Sequence, residues 1–205
     1  MTYIFLHGLG QTSSSWDETV KSLDKEIKLL TPNLSDWIKD KEPSFNTLYD
    51  ELIKYCEKVN DDLCLVGLSL GGVLALKYAI EHQDRVKSLV LIGTQYKMPK
   101  GLLKFQNVIF HLMPKSVFSN MGFQKSDFIN LCKSMMNLNF SNSVQDIKAK
   151  TLVIYGEKDK ANKSAAIELS KLIAKSELVC IPNSNHEVNN DKPDLLAKEI
   201  NRFFK

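Results

Sequence analysis

A chain of 205 residues is long enough for one sizeable hydrophobic core and marginal for two domains, so we predict a single domain over residues 1–205. Its apolar fraction of 43% and charged fraction of 25% are those of an ordinary globular protein. Of its 27 basic residues only Arg85 and Arg202 are arginine, and the net charge is a modest +3. Because bidentate recognition of phosphates and bases prefers arginine, nucleic acid is not an expected partner.

The cysteines and the first residues of the chain carry no sign of a disulfide, a metal or a membrane. Cys56, Cys64, Cys132 and Cys180 are widely spaced and form no C-x-x-C pair, so neither a disulfide framework nor a metal site is expected. Residues 1–6 lack a signal peptide's pattern, and no apolar run could cross a bilayer. We expect a cytoplasmic protein without metal, cofactor or membrane partner; its oligomeric state stays open.

Short apolar runs alternate with amphipathic stretches, which is typical of a parallel sheet covered by helices. Strands are predicted at residues 3–6, 27–30, 63–66, 88–92, 151–155 and 178–181. Helices are predicted over 16–26, after Ser44, from Ser69 to about Gln83, around 167–173 and from Pro193. The pattern predicts an α/β fold, a doubly wound and mainly parallel six-stranded sheet.

The alternation stops in residues 96–146, which we call the cap segment. It contains five of the six methionines and six of the ten phenylalanines, and prolines and glycines divide it into short helical pieces. These pieces are either ordinary core helices or a short helical cap over a site. Because the segment interrupts an α/β pattern between two strands, we favour the cap. Phe110, Met113 and Phe128 are its candidate substrate-binding residues.

Ser69 lies between a buried strand and a helix start, within the sequence Gly67-Leu68-Ser69-Leu70-Gly71. By itself G-x-S-x-G is a weak signal, and a simple turn between strand and helix explains it equally well. The flanking strand and helix favour a nucleophile elbow, in which glycines let the strand and the helix pass closely and the hydroxyl is held at the sheet end. Ser69 is therefore the candidate nucleophile.

A serine needs a base, and the base needs an orienting group. His186 follows the last predicted strand and Asp159 the strand before it, so both belong to the sheet edge that carries Ser69. Taken alone, Asp159 is also a helix cap and His186 a surface loop residue. His82 lies too far along its helix to turn back, and His111 lies in the cap segment. We therefore expect Ser69, Asp159 and His186 to converge as catalytic residues.

An oxyanion hole needs two backbone donors near the serine. One is expected from Leu70, which follows the nucleophile, and the other from Leu9 in the glycine-rich loop after the first strand. The alternative for that loop is a plain connector. It is no dinucleotide fingerprint, because Ser13 stands where the third glycine would be.

The chain resembles the α/β-hydrolase superfamily, and most of all its small esterase and lactonase-type members. The motifs that carry the resemblance are His7-Gly8-x-Gly10 with Trp16, Gly67-x-Ser69-x-Gly71-Gly72, Gly156-x-x-Asp159, and His186 with Asp191 and Pro193. The resemblance implies a Ser69–His186–Asp159 triad, oxyanion donors at Leu9 and Leu70, and a cap over residues 96–146. The usual N-terminal hairpin is missing, which leaves six strands.

The resemblance implies a serine hydrolase that cleaves a small carboxylic ester, thioester or lactone through an acyl-enzyme, without a cofactor. Two alternatives stay open: a C–C bond hydrolase or acyltransferase with the same triad, and a non-catalytic module that binds a small ligand. The module's usual mark is a lost triad residue, and none is lost here.

Overall fold

One parallel sheet organises the part of the chain that the computed structural model describes, which is residues 1–24, 28–118 and 121–205 without the Leu102 side chain. Its strands are β1 (Thr2–Leu6), β2 (Lys28–Leu30), β3 (Leu63–Leu68), β4 (Val86–Ile92), β5 (Lys150–Gly156) and β6 (Ser176–Ile181). Their order across the sheet is β2-β1-β3-β4-β5-β6, and every neighbouring pair is parallel. The predicted fold class is confirmed.

Helices cover both faces of this sheet. The α-helices of the described chain are α1 (Asp17–Lys21), α2 (Leu34–Trp37), α3 (Phe45–Glu57), α4 (Leu70–Glu81), α5 (Lys100–Leu112), α6 (Lys125–Met135), α7 (Lys163–Leu172), α8 (Val188–Asp191) and α9 (Pro193–Phe204). Strand side chains alternate between two apolar clusters, one against α1, α8 and α9 and the other against α2, α3, α4 and α7. Each fully buried aliphatic side chain stabilises the fold by about 1.5–3 kcal/mol.

The first predicted helix differs most from the structure. In place of one helix over residues 16–26, a 3₁₀ turn (Ser13–Trp16) leads into the short α1. Glu26 and Ile27, the predicted end of that helix and start of the second strand, lie outside the described residues. The sequence analysis also missed α2 and α8, because each is a single turn and four residues show no periodicity.

The cap segment connects β4 to its neighbour β5. It contains α5, α6 and 3₁₀ turns at Lys115–Phe118 and Val144–Asp146. Its two ends are joined by backbone hydrogen bonds, from Met98 N–H to the Leu138 carbonyl at 3.1 Å and from Phe140 N–H to the Tyr96 carbonyl at 2.8 Å. The segment therefore leaves and re-enters the sheet at one place. None of the described helices has the length and apolarity needed to cross a membrane.

Candidate active site

Ser69 has a strained backbone at the junction of β3 and α4. Its φ of 53° and ψ of −112° lie outside the regions that L-residues ordinarily occupy. Its N–H donates to the Ile92 carbonyl and its carbonyl accepts from Val73 N–H, both at 2.9 Å. Such conformations cost about 1–3 kcal/mol and persist only where the surroundings enforce them. The elbow predicted from the sequence is therefore present as backbone geometry.

Two glycines make this turn sterically possible. A β-carbon on Gly67 would lie 2.4 Å from the Gly71 carbonyl oxygen, and one on Gly71 would lie 2.1 Å from the Leu6 carbonyl oxygen. Both distances are far inside van der Waals contact. Any side chain at either position would force β3, α4 and the end of β1 apart, so the pattern G-x-S-x-G is required by packing here.

His186 and Asp159 form a hydrogen-bonded pair at the carboxyl ends of β5 and β6. The imidazole Nδ1 lies 2.8 Å from the Asp159 Oδ2. Because an ionised carboxylate only accepts, Nδ1 carries the proton and Nε2 is left as the acceptor. The Asp159 side chain is 4% exposed and the His186 side chain 37%, so the carboxylate is enclosed while the ring reaches the cavity.

Asn162 holds the same carboxylate beside the imidazole, with its Nδ2 at 3.1 Å from the His186 Nδ1. Its side-chain Nδ2 donates to both oxygens of Asp159 at 2.9 Å, and its own Oδ1 accepts from Gln95 Nε2 at 2.8 Å. Burial raises the pKa of Asp159, but the hydrogen bond and charge of His186 and the bonds from Asn162 outweigh it, and the pKa lies below its ordinary value. Asp159 is therefore ionised at neutral pH. Asn162 was not predicted from the sequence, because no motif marks it.

The backbone of Gly93 packs closely against the imidazole. Gly93 follows β4 with a φ of +54°, and a β-carbon there would lie 2.9 Å from both Nδ1 and Cε1 of His186. Only a glycine leaves room for the ring. Gly93 and the Asp159 carboxylate thus both border the Nδ1 edge of the ring. Two other histidines lie elsewhere: His82 stacks on Tyr78 at the end of α4, and His111 lies exposed on α5.

Ser69, Asp159 and His186 face one cavity of about 400 Å³. The cap segment and the adjoining loops supply most of the remaining described lining, which includes Gln95, Met98, Pro99, Leu103, Phe105, Gln106, Ile109 and Met135. Within the described chain the Ser69 hydroxyl is not yet hydrogen-bonded to the imidazole. Such bonds are often long in unliganded enzymes and tighten when substrate binds.

The three predicted substrate-binding residues do not line this cavity. Phe110 and Phe128 pack edge-to-face at 5.2 Å within an aromatic cluster that also contains Phe118 and Phe123. Met113 packs against the same core. This differs from the prediction: on α5 the apolar side chains that line the cavity include Leu103 and Ile109, whereas Phe110 and Met113 are outside its described lining.

A larger cavity, of about 550 Å³, lies in the cap segment among Phe118, Phe123 and Ile129. The titratable side chains of its described lining are Lys115 and Lys125. The Ser126 hydroxyl there donates to the Asp127 carboxylate at 3.3 Å, and the described lining contains no histidine that could act as a base. The larger cavity therefore lacks the combination of groups that a serine nucleophile needs. The smaller cavity is the candidate active site because it combines a nucleophile, a base and a carboxylate.

The loop after β1 lies beside the serine. A β-carbon on Gly8 would lie 3.6 Å from the Ser69 Cβ. Among the described residues, neither the Leu9 N–H nor the Leu70 N–H donates a hydrogen bond to another protein group. Two free backbone donors thus stand at the positions from which the sequence analysis expects an oxyanion hole.

His7 holds this loop by both ring nitrogens. Nδ1 lies 2.9 Å from the Gly8 carbonyl, and Nε2 accepts from Leu34 N–H at 2.9 Å, so the proton is on Nδ1. Burial lowers the pKa of His7, which keeps the ring neutral. Protonation would place a second donor against the Leu34 N–H. His7 therefore shapes the loop and is separate from the Ser69 cavity.

A buried pair of amides ties the same loop to the His186 loop. Gln11 Nε2 donates to Asn189 Oδ1 at 3.2 Å, and Asn189 Nδ2 donates back to Gln11 Oε1 at 3.3 Å. Gln11 Oε1 also accepts from Gly8 N–H at 3.2 Å. Asn189 Nδ2 donates its other hydrogen to the Ser15 carbonyl at 3.0 Å. Gln11 and Asn189 thus join the loop after β1 to α8, three residues beyond His186.

Comparison with known proteins decides the family. Residues 4–118, more than half of the chain, match the family model described as alpha/beta hydrolase fold. The chain belongs to the α/β-hydrolase fold family. The resemblance predicted from the motifs is confirmed.

Individual relatives of this α/β-hydrolase are distant. It is 31% identical over 138 residues to the probable lysophospholipase BODYGUARD 1 of Arabidopsis thaliana, covering 60% of this chain and 29% of that protein. It is 25% identical over 181 residues to the pimeloyl-[acyl-carrier protein] methyl ester esterase of Wigglesworthia glossinidia brevipalpis, covering 82% and 64%. The chain thus spans less than two thirds of either relative's length.

A solved structure gives the same picture of the fold. The crystal structure of a hydrolase from Pseudomonas aeruginosa PA01 superposes with a TM-score of 0.86 at 16% identity, covering 99% of this chain and 89% of that one. The shared fold includes the sheet that carries the site. Among the described residues no group of three or more His, Cys, Asp or Glu side chains is placed to hold a metal ion.

Proposed function

We propose that this α/β-hydrolase is a serine hydrolase that cleaves a small carboxylic ester, thioester or lactone. The observation that carries the proposal is the strained Ser69 in one cavity with the His186–Asp159 pair. We further propose that residues 1–205 act as one domain, with residues 96–146 as its cap.

In the first step the Ser69 Oγ attacks the substrate carbonyl carbon. His186 Nε2, which the Nδ1–Asp159 bond leaves as the acceptor, takes the hydroxyl proton as the new C–O bond forms. The carbonyl oxygen becomes an oxyanion, and the N–H groups of Leu9 and Leu70 are the proposed donors to it. Such donors typically contribute a factor of about 10²–10³ in kcat each.

Collapse of the tetrahedral intermediate expels the alcohol, thiol or lactone oxygen, which receives the proton from His186. The acyl group is then an ester of Ser69. Water attacks this ester, gives its proton to Nε2, and releases the carboxylic acid with the serine restored. Asp159 stays ionised throughout and stabilises the imidazolium, which is the role that its lowered pKa supports.

The choice of esters rests on relatives and on cavity size. Two distant relatives are named as a methyl ester esterase and a probable lysophospholipase, and both names describe cleavage of a carboxylic ester. A cavity of about 400 Å³ lies at the lower end of the usual range for small-molecule sites, about 300–1,000 Å³. This volume supports a short or medium acyl group.

Fluorophosphonate labelling followed by a substrate panel tests the proposal. We expect one labelled serine, and turnover within a panel of nitrophenyl esters, acyl thioesters and lactones. Cleavage restricted to a carbon–carbon bond, or acyl transfer to an acceptor in place of water, would assign the same residues to another reaction. A folded protein that neither labels nor turns over any substrate would be a binding module, and the proposal would be wrong.

We expect the cap residues that line the cavity to determine which acyl-chain length is preferred. We expect kcat/KM to rise with each methylene by up to about 0.8 kcal/mol, or about fourfold, until the cavity is full. Leu103→Ala and Ile109→Ala should move the optimum to longer chains, because both side chains line the cavity. A nitrophenyl ester series measures this. Leu178→Ala, on the exposed side of β6, is the control and should leave the profile unchanged.

The amide pair should affect turnover more than substrate binding. We expect Asn189→Ala to lower kcat about tenfold with little change in KM, because Gln11 loses the partner that fixes the Gly8–Leu9 loop. An unsatisfied buried amide also costs about 1–3 kcal/mol of unfolding free energy. Affinity for a boronic acid, which mimics the tetrahedral intermediate, should fall in parallel with kcat.

The matched control for that variant is the exposed neighbour Asn190, whose side chain donates to the Glu187 carboxylate within its own turn. Asn190→Ala should retain wild-type kcat and boronate affinity. If Asn189→Ala lost stability but kept full kcat and boronate affinity, the pair would be purely structural.

A further inference from the structure

Helix α5 exposes an apolar stripe beside the candidate active site. Phe105, Val108, Ile109 and Leu112 follow the spacing of one helix face and are 64%, 57%, 39% and 81% exposed. Folded proteins rarely leave such a contiguous group of large apolar side chains in water, and those that do use it for binding. The four residues form what we call the α5 stripe.

The opposite face of α5 is fixed, so the stripe is not a loosely packed core. Leu103 and Phe110 pack toward the protein, and Asn107 Nδ2 donates to the Ile129 carbonyl of α6 at 2.8 Å. At the helix end, Lys125 Nζ donates to the carbonyls of His111 and Met113 at 2.7 and 2.6 Å. The inner face already has its partners in α6, and the α5 stripe is left for something outside the described chain.

The segment that carries the α5 stripe has a surplus of positive charge. The cap segment contains six lysines and two aspartates, a surplus of four, while the whole chain carries +3. Lys100 and Lys104 lie exposed on α5 itself and Lys115 three residues beyond its end, and within the described residues none of them forms an ion pair. The partner of this surface should therefore offer an apolar region for the stripe and negatively charged groups for the lysines.

We propose that the α5 stripe and its lysines dock this protein on an anionic lipid–water interface. A helix with one large apolar face and lysines along its edge lies in the plane of such an interface, and the lysine stems reach outward to the lipid headgroups. Each lysine near an anionic surface strengthens binding about fivefold. A second copy of the chain fits worse, because a two-fold contact would bring the lysines face to face.

This docking places the candidate active site at the lipid surface. Phe105 and Ile109 belong both to the α5 stripe and to the lining of the Ser69 cavity. A substrate that partitions into the interface would meet the cavity without crossing water. This last step rests on the proposed function and adds that the ester is amphiphilic; the docking itself does not depend on catalysis. The proposal differs from the sequence-based expectation of no membrane partner, which stays a prediction.

Vesicle co-sedimentation of the Ser69→Ala protein tests the docking without hydrolysis. We expect binding to vesicles of phosphatidylcholine with phosphatidylglycerol, weaker binding to phosphatidylcholine alone, and loss of affinity in high salt. The double variant Val108→Ser/Leu112→Ser should bind at least about tenfold more weakly, because two deeply inserted side chains are lost. Lys100→Gln/Lys104→Gln/Lys115→Gln should remove the preference for anionic vesicles.

Matched controls come from other surfaces. Leu178→Ser/Leu195→Ser changes two exposed leucines of β6 and α9, and Lys171→Gln/Lys175→Gln/Lys198→Gln removes three exposed lysines; both should bind as the parent does. Equal binding by the stripe variants and these controls would overturn the proposal. So would absence of vesicle binding together with a dimer in light scattering that Val108→Ser/Leu112→Ser dissolves, since the occupant would then be a second copy.

A failed hydrolase with intact vesicle binding would contradict only the proposed function. In the catalytically active background, Val108→Ser/Leu112→Ser should retain its rate on a water-soluble nitrophenyl ester, since neither residue lines the cavity. Its rate on the same ester carried in anionic vesicles should fall. An unchanged rate on both forms would separate docking from substrate delivery and overturn the latter.

Discussion

Replacing Ser69 with alanine is expected to lower kcat by about 10³-fold or more and to abolish fluorophosphonate labelling. The reason is that no other hydroxyl in the described lining of the 400 Å³ cavity can take its place beside the His186–Asp159 pair. The fold should persist. Alanine and serine are both L-residues with a β-carbon, so the positive φ strains them alike, and the backbone bonds to Ile92 and Val73 do not involve the hydroxyl.

The measurement is turnover of the best nitrophenyl ester together with a thermal melt of the same preparation. Ser126→Ala is the matched control, because Ser126 lines the larger cavity in the cap segment. It should keep full activity and full labelling. If Ser69→Ala kept even a tenth of wild-type turnover, or if Ser126→Ala lost activity with an unchanged melt, the nucleophile would be elsewhere.

The sheet and the backbone of the site could be predicted because their causes are local. A continuous apolar run such as residues 63–66 is typical of a strand that is covered on both faces, and parallel order is expected when helices alternate with strands. Parallel order brings the strand ends to one edge, so Asp159 and His186 could be expected together although 27 residues separate them. The steric contacts of Gly67 and Gly71 are likewise written in five adjacent residues.

The cap could be located but not oriented. A helix with apolar residues on several sides can turn either face inward, and the choice depends on how α6 packs against it, which no local pattern encodes. The sequence analysis chose Phe110 and Met113 for the cavity, whereas α5 presents Leu103 and Ile109 to it. The bounds of the segment could be predicted because the strand–helix alternation stops there. The face of α5 that turns toward the cavity could not be predicted.

Polar contacts between distant loops were invisible for a different reason. Gln11 and Asn189 are 178 residues apart, and each alone looks like an ordinary loop amide. Their pairing depends on the positions that β1 and α8 take once the sheet has formed. Asn162 is similar, because three residues after Asp159 it looks like the start of a helix until its amide is seen on the carboxylate. Side chains of this kind are found only in three dimensions.

Replacing His186 with alanine is expected to reduce kcat about as much as the loss of Ser69, because residues of a catalytic unit fail together. His82→Ala and His111→Ala, the controls, should retain most of the activity, since His82 stacks on Tyr78 away from the cavity and His111 lies exposed on α5. An indispensable His111 would move the active site into the cap segment.

The pH profile of the wild-type protein distinguishes a general base at His186 from a residue with a purely structural role. A general base accepts a proton only when it is neutral. We therefore expect kcat/KM to decrease as the pH is lowered and one group becomes protonated. The pKa of Asp159 lies below its ordinary value, so protonation of this carboxylate does not account for activity that is lost near neutral pH.

The sign of the stability effect separates this loss from unfolding. Because the folded-state pKa of Asp159 is lowered, its pairing stabilises the fold fully above the unfolded-state pKa of about 4 and stops doing so only as pH falls through the lower folded value. Activity should therefore disappear at a pH where the Asp159–His186 pair still stabilises the fold, so that the melting temperature is not yet lowered by its loss. An acid limb that coincided with a fall in melting temperature would instead report unfolding and leave His186 without the proposed role.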